Sequence, residues 1–259
     1  MSRNLGTQAL DRAVAVLRLL ATVDGTGLRL LDVQARLGLQ KPTAHRILQA
    51  LGRHGLVEQD PETRRYRLGY EVAILGSLLA RRTPDLRRLF AGEMQDLAEE
   101  TGDTAFLHLR SGSDCVCIER TMGPYPIKAF TVDVGTRRPL GVGAGSIALL
   151  AAMERADEEA VYDAVRGRLR DFPNVNEKVI RGAVRAAREK GYALSDGYVL
   201  SGVRGVGIAI YDRSGAAIAA LSIAAIRERV LPDRIDLLVR ALERRRRFVE
   251  RRLAIRSAA

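Results

Sequence analysis

Between Leu28 and Arg67 the chain carries a pattern with few structural solutions. Leu30, Val33 and Leu37 share one face of a short helix. Gly38 supplies the open or left-handed backbone that a turn needs. Pro42 suits the first turn of a second helix, where its missing N–H costs nothing. Ala44, Ile47, Leu48 and Leu51 then make an apolar stripe of helical period, and Lys41, His45, Arg46, Gln49 and Arg53 fall on the other side. Gly55 closes this helix. Leu56–Gln59 and Tyr66–Leu68 predict two short strands around the turn residues 60–65. Together these are the parts of a winged helix-turn-helix, in which one helix offers donors to a major groove and a hairpin lies along the backbone. A plain helical module with a solvated charged face would share the stripe. It would not share the turn spacing, the proline position and the basic hairpin at once.

The donors divide by position. Lys41 and Thr43 stand in the first helical turn, where a helix N-terminus favours phosphate. His45, Arg46 and Gln49 lie one turn further on. Arg46 has the fork for guanine and Gln49 the amide for adenine, but a phosphate or a neighbouring carboxylate would satisfy Arg46 equally well. Arg64, Arg65 and Arg67 in the wing are expected to add sequence-independent, salt-sensitive affinity.

Charge agrees with a polyanionic partner. The 259 residues hold 42 Lys+Arg against 31 Asp+Glu, a formal net charge of +11. An RNA-binding module would want exposed aromatic side chains for stacking, yet aromatics make up 5% and there is no tryptophan. No run of about 18 apolar residues predicts a membrane span, and no signal peptide is expected at the N-terminus. Cys115 and Cys117 stand two apart in an alternating segment, so on a strand both face one side. Neither they nor three scattered histidines have metal-ligand spacing, so no metal or other cofactor is expected, and a cytoplasmic location is.

The remaining chain alternates helices and strands. Gln8–Thr22 predicts an amphipathic helix with Leu10, Val14, Leu17 and Leu20 at helical spacing, broken by Asp24-Gly25-Thr26-Gly27. Tyr70–Arg82 predicts a connecting helix, stopped by Arg81-Arg82-Thr83-Pro84. Further helices are expected at 85–101, 144–153, 157–169, 176–190 and 231–255. Strands are expected at 104–109, 116–120, 127–132, 203–211 and 216–224. That order predicts an α+β fold with an antiparallel sheet. It divides the chain into residues 1–69, a connecting helix at 70–83, and a larger domain at 84–259.

Several short stretches, in order, carry a family resemblance. They are Gln8-Ala9-Leu10, Gly38-Leu39, Pro42-Thr43-Ala44-His45-Arg46, His54-Gly55-Leu56-Val57 and Tyr66-Arg67-Leu68-Gly69. Downstream come Arg138-Pro139-Leu140, Gly191-Tyr192-Ala193 and Ala219-Ala220-Leu221-Ser222-Ile223. Over roughly residues 8–255 the chain resembles the IclR family of bacterial transcription regulators. The resemblance implies an N-terminal winged helix, a connecting helix and a C-terminal GAF-like domain that binds a small effector. It also implies a homodimer or tetramer that represses or activates nearby genes from double-stranded operator DNA.

The stretch Gly141-Val142-Gly143-Ala144-Gly145-Ser146 opens a helix. It lacks the strand and the later acidic residue of a dinucleotide site, and it has no Gly-Lys-Ser/Thr phosphate loop. What remains is a row of unpaired N–H groups that suits a small carboxylate, or a glycine loop needed only for close packing. The resemblance implies an effector pocket made by this loop, with Ala144, Gly145 and Ser146, and by segments holding Asp196, Gly205, Ser222 and Ala224. Here the chain departs from the family pattern. Gly205 stands for a cysteine, Ala224 for a serine, Gly141 for a histidine, Ser146-Ile147 for Gly-Lys, and Gly197-Tyr198 for an acidic pair. A roomier, less polar pocket and a larger, partly apolar acid, aromatic among the options, are therefore expected.

An enzyme is the rival class. Ser146 and Ser222 lack a nucleophile-elbow pattern, and His108 is the only histidine outside the first domain, so no catalytic residue is assigned. On an apolar strand such a histidine reads as a satisfied core residue. Arg240, Arg244 to Arg247, Arg251, Arg252 and Arg256 on the last helix read as a solvated face, with a second DNA or membrane-surface patch as the alternative.

Overall fold

A computed structural model of the chain describes residues 7–23, 25–80 and 85–256. The expected helix breakers Asp24 and 81–84 lie outside the described residues. The chain divides into two compact units, residues 1–84 and 85–259.

In the first unit the helices are α1 (Gln8–Ala21), α2 (Leu30–Leu37) and α3 (Lys41–Arg53), followed by β1 (Val57–Gln59), β2 (Tyr66–Leu68) and α4 (Tyr70–Ala80). Gly38 takes the left-handed conformation between α2 and α3, φ 62° and ψ 31°. The α2 start, which has no polar residue at Leu31, is held instead by Asp32, whose carboxylate accepts from the Arg29 N–H at 2.9 Å. Ala44, Leu48 and Leu51 turn inward onto Val16, Leu20, Val33 and Val57. The α1 stripe differs from expectation. Leu10 and Val14 are exposed, and Val16 and Leu20 are the buried pair. The wing is antiparallel, Val57 opposite Leu68, and Tyr66 also bridges to Leu28. Its turn is built by Asp60, whose carboxylate accepts from Thr63 N–H at 2.7 Å and Glu62 N–H at 3.1 Å.

The second unit is one six-stranded antiparallel sheet with helices on both faces. Its strands are β3 (Thr104–Ser111), β4 (Asp114–Met122), β5 (Arg137–Pro139), β6 (Ala193–Asp196), β7 (Val203–Tyr211) and β8 (Ala217–Ile226), in the order β5-β4-β3-β8-β7-β6. On one face Leu107, Val206, Ile208, Leu221 and Ile223 meet α5 (Leu86–Thr101) and α9 (Pro232–Arg256). On the other lie α6 (Ala144–Ala151), α7 (Arg155–Val165) and α8 (Glu177–Lys190). Both faces of the central strands are covered, which explains their near-continuous apolar runs. The expected strand at 127–132 is not one. Residues 123–136 form an irregular strap between β4 and β5, pinned where Gly135 N–H meets the Cys117 carbonyl at 2.8 Å. The short edge strands β5 and β6 had no sequence signal of their own.

Glycines on β7 let α6 approach the sheet. A Cβ on Gly207 would lie 2.8 Å from the carbonyl carbon and oxygen of Ala144 and 2.9 Å from Gly145 N. Backbone cannot yield as a side chain can. Gly207→Ala is expected to destabilise the unit by about 1–3 kcal/mol, as overpacking does. Urea unfolding that gave the wild-type midpoint would sink this account of the contact.

Candidate functional site

The first candidate surface is the outer side of α3. Its inner side is committed to the core through Ala44 and Leu48, at 0% and 1% exposure, which fixes the rotation of the helix. Lys41, His45, Arg46 and Gln49 are consequently exposed together, and Thr43 is half-buried beside them. Arg46 folds back along the helix, its Nε donating to the Pro42 carbonyl at 3.2 Å. In the wing, Arg64 is exposed and has positive φ, 56°. Arg65, expected to face DNA, has one side-chain donor committed within the domain. Its guanidinium donates to the Gly27 carbonyl at 2.9 Å and ties the hairpin to the helices. Arg67 faces Glu58 at 3.5 Å.

The second candidate is a cavity on the α6 side of the sheet, closed over by the strap. From β3 come Phe106 and His108, two residues apart and so on one face. Their rings stack with centroids 6.0 Å apart. From β8 come Ser222 and Ala224, and from β7 Gly205. His108 Nε2 lies 3.0 Å from Ser222 Oγ. The α6 start closes one end. Gly143, at φ 99° and ψ 158°, holds a conformation that glycine alone adopts readily. The first bond of α6 runs from Ile147 N–H to the Gly143 carbonyl at 2.9 Å. The N–H groups of Ala144, Gly145 and Ser146 precede it and have no partner within the helix. The Ser146 hydroxyl is already engaged, accepting from Gly141 N–H at 2.8 Å.

Of the residues named from sequence, Ala144, Gly145, Ser146, Gly205, Ser222 and Ala224 line this cavity. Asp196 does not. Its carboxylate is held by Arg204 at 2.9 Å and Arg227 at 2.7 Å, which keep its pKa low against the effect of burial. The predicted extra room is also taken up. A Cβ on Gly205 would meet Ser195 Oγ at 3.0 Å and Ala144 Cβ at 3.1 Å, and one on Gly141 would meet Ile180 at 2.5 Å. The free volume is about 50 Å³, room for a few water molecules.

Sequence alone does not place Phe106, His108 and Arg138 at the cavity. The signal was the alternation Phe106-x-His108 on a strand, read as core. His108 is both satisfied and cavity-lining. Burial, and then the charge of Arg138, push its pKa down to about 4, so the ring is neutral at neutral pH. Cys115 and Cys117 line the same cavity, and burial pushes their thiols up to about 12 and about 11. They are inert neutral walls. Among the described residues no cluster of His, Cys, Asp or Glu has the arrangement to hold a metal ion. The arginines of α9 are largely spoken for. Arg245 reaches Glu100 at 2.9 Å and Glu93 at 3.6 Å, and Arg247 reaches Glu243 at 2.8 Å. Among the described residues no helix is long and apolar enough to cross a membrane.

Comparison with known proteins brings both surfaces under one heading. Residues 9–61 match the model of the IclR helix-turn-helix domain, and residues 80–249 match that of the bacterial transcriptional regulator IclR C-terminal region. The glycerol operon regulatory protein of Streptomyces griseus is 30% identical over 236 residues, covering 90% of this chain and 89% of its own length. A putative IclR transcriptional regulator from Silicibacter sp. TM1040 superimposes with a TM-score of 0.75 at 25% identity, covering 95% of this chain and 96% of that one. An IclR homolog from Microbacterium hydrocarbonoxydans, solved with 4-hydroxybenzoate, shares the fold with a TM-score of 0.72 at 23% identity, covering 96% of this chain and 100% of its own. With both family models matched in order along nearly its whole length, the chain belongs to the IclR family of bacterial transcription regulators and is a DNA-binding regulator with an effector domain, not an enzyme.

Proposed function

We propose that the chain binds operator DNA through α3 and its wing, and reports the presence of a small organic acid held at the start of α6. The observation that carries the first half is the fixed rotation of α3. Its apolar stripe is buried, so Lys41, Thr43, His45, Arg46 and Gln49 share the outer side. Arg46 and Gln49 read bases, Lys41 and Thr43 hold phosphate, and Arg64 adds affinity along the backbone. Replacing Arg46 by alanine is expected to weaken binding to a specific upstream site about 10- to 100-fold, the worth of one bidentate base contact. Arg64→Ala is expected to weaken all duplexes alike and to lower the salt slope by about 1. Fluorescence anisotropy on the DNA upstream of the protein's own gene reads both. Unchanged affinity in both variants would remove the DNA-reading face.

The acid is held by the free N–H groups of Ala144 and Gly145, where the α6 dipole favours negative charge. Phe106, Val142, Val203 and Ala224 give the cavity apolar walls, which suit an acid with an apolar body. The 4-hydroxybenzoate in the Microbacterium homolog makes aromatic acids the first to try. With a free volume of about 50 Å³, the cavity takes an aromatic acid only once the strap shifts. Thermal melting with 4-hydroxybenzoate, benzoate and glyoxylate tests this, since a ligand at 100 times its Kd adds about 2.7 kcal/mol. Stabilisation by glyoxylate alone would contradict the apolar body.

The chain works in the cytoplasm as a homodimer or a tetramer. On α4, Ile74, Leu75, Leu78 and Leu79 are about half exposed or more, a row that an isolated helix leaves in water. Paired heads read a roughly palindromic site. The acid regulates only if it binds two arrangements of those heads unequally.

A further inference from the structure

Within the second unit Arg138 stands apart from the other part-buried arginines among the described residues. Arg137 faces Asp114 at 3.1 Å, Arg204 faces Asp196 at 2.9 Å, and Arg229 and Arg234 face Asp103 at 2.7 and 2.8 Å. Arg120 faces Asp133. Among the described residues no carboxylate lies within ion-pairing distance of Arg138, although the residue lines the cavity. Its one hydrogen bond goes to the Thr131 carbonyl, a neutral acceptor on the strap. Burial already lowers its pKa, the sign of a charge short of compensation. Cys115 and Cys117 beside it are neutral thiols, and His108 is a neutral ring. A part-buried guanidinium that gives only one of its five N–H groups to a described residue is a strong site for a planar carboxylate.

We propose that Arg138 is the charge-selecting residue of the effector cavity, and that an acid takes its guanidinium from the Thr131 carbonyl and so loosens the strap. This rests on the reading of the cavity as a small-acid site. The strap carries Ala129, buried against Phe106, Cys117 and Ala224, so its release uncovers the apolar wall of the same cavity. Thr131, Val132 and Thr136 line the cavity from that side. Arg120 provides an internal control. It also holds the strap, donating to the Val132 carbonyl at 3.1 Å, but it does not line the cavity. Loosening through Arg120 therefore leaves charge selection alone.

The test uses the full chain and two matched pairs of probes, benzoate with benzamide and 4-hydroxybenzoate with 4-hydroxybenzamide. Binding is read by titration calorimetry, and hydrogen exchange is followed at the Thr131 and Gly135 amides. In the wild type the acid of a pair is expected to bind at least tenfold tighter than its amide, and the acid raises strap exchange severalfold. Arg138→Gln is expected to erase the acid preference and to raise strap exchange without ligand. Arg138→Lys restores part of the preference, since it keeps the charge and loses the fork. Arg120→Gln is expected to raise strap exchange and keep the preference. A wild-type acid preference in Arg138→Gln, in a chain whose circular dichroism is unaltered, overturns the proposal. So does a strap as protected in Arg138→Gln as in the wild type. If neither acid binds the wild type, the small-acid reading of the cavity fails, and this proposal fails with it.

Discussion

Replacing Asp103 by alanine is expected to destabilise the effector unit by about 3–5 kcal/mol, the largest effect of any single side chain here. Asp103 follows the turn that ends α5, and its side chain is 1% exposed. Two guanidiniums converge on it, Arg229 at 2.7 Å and Arg234 at 2.8 Å. Arg229 also lies 3.7 Å from the centroid of the Tyr125 ring, and both arginines donate to the Thr101 carbonyl. The three charges join the α5–β3 corner to the start of α9, elements 126 or more residues apart in sequence. Alanine would leave two cations at 22–23% exposure without a counter-charge. Carbonyl acceptors compensate only partly. Asp103→Asn keeps acceptor and shape but not charge, and is expected to cost less. Glu243→Ala, which breaks the exposed pairing to Arg247, is expected to change stability by less than about 1 kcal/mol. Urea unfolding followed by circular dichroism separates the three. Equal effects for Asp103→Ala and Glu243→Ala would mean that the buried triad is no more than a surface pair.

The sequence disclosed those parts of the molecule whose cause is local. Gly38 at positive φ, Pro42 in the first turn and the Ala44–Leu48–Leu51 stripe are decided within a few residues, and α2 and α3 stand where the pattern puts them. The face of α1 was not legible. Leu10, Val14, Val16 and Leu20 satisfy overlapping helical stripes, and only the position of α3 decides that Val16 is inside. Strand β5 has three residues and no alternation to detect, so the strap was read as the strand instead. The cavity was half legible. The glycines that open α6 announce themselves, whereas Arg138 and His108 come to it only through cross-strand register, Arg138 opposite Cys115 and His108 opposite Cys117. Asp196 was assigned to the cavity by resemblance. It is drawn away because Arg204, directly opposite on β7, offers a closer partner.

Acidification from pH 7 to pH 5 is expected to remove about 2 kcal/mol of stability through His108 alone, and about 3 kcal/mol by pH 4. The residue is 9% exposed, and burial, then the charge of Arg138, lower its pKa from 6.5 to about 4. What surrounds it explains why. Ser222 on β8 offers a hydroxyl at 3.0 Å, Gly145 on α6 packs against the ring, and the thiols of β4 are neutral. Among the described residues the charge acting on it is Arg138 on β5, which is of the wrong sign. In the unfolded chain the imidazole takes its proton near pH 6.5, but the folded chain refuses it until about pH 4. Between those values the unfolded state binds more protons, so stability declines as the pH falls through the window and is level above it. Carboxylates held low by arginine, such as Glu159 and Glu177, lose their pairing only further down, and Glu93, raised by burial, works in the opposite sense, so the difference between the wild type and His108→Gln isolates the histidine. His108→Gln keeps a hydrogen-bonding amide for Ser222 and cannot titrate. Its unfolding free energy is expected to stay level across that range while the wild type declines. A bound acid would supply the missing counter-charge beside Arg138 and raise the pKa of His108, so the decline should shrink in its presence. An equally steep decline in His108→Gln would assign the pH response to other groups, and would leave His108 as packing rather than as the neutral partner that the cavity requires.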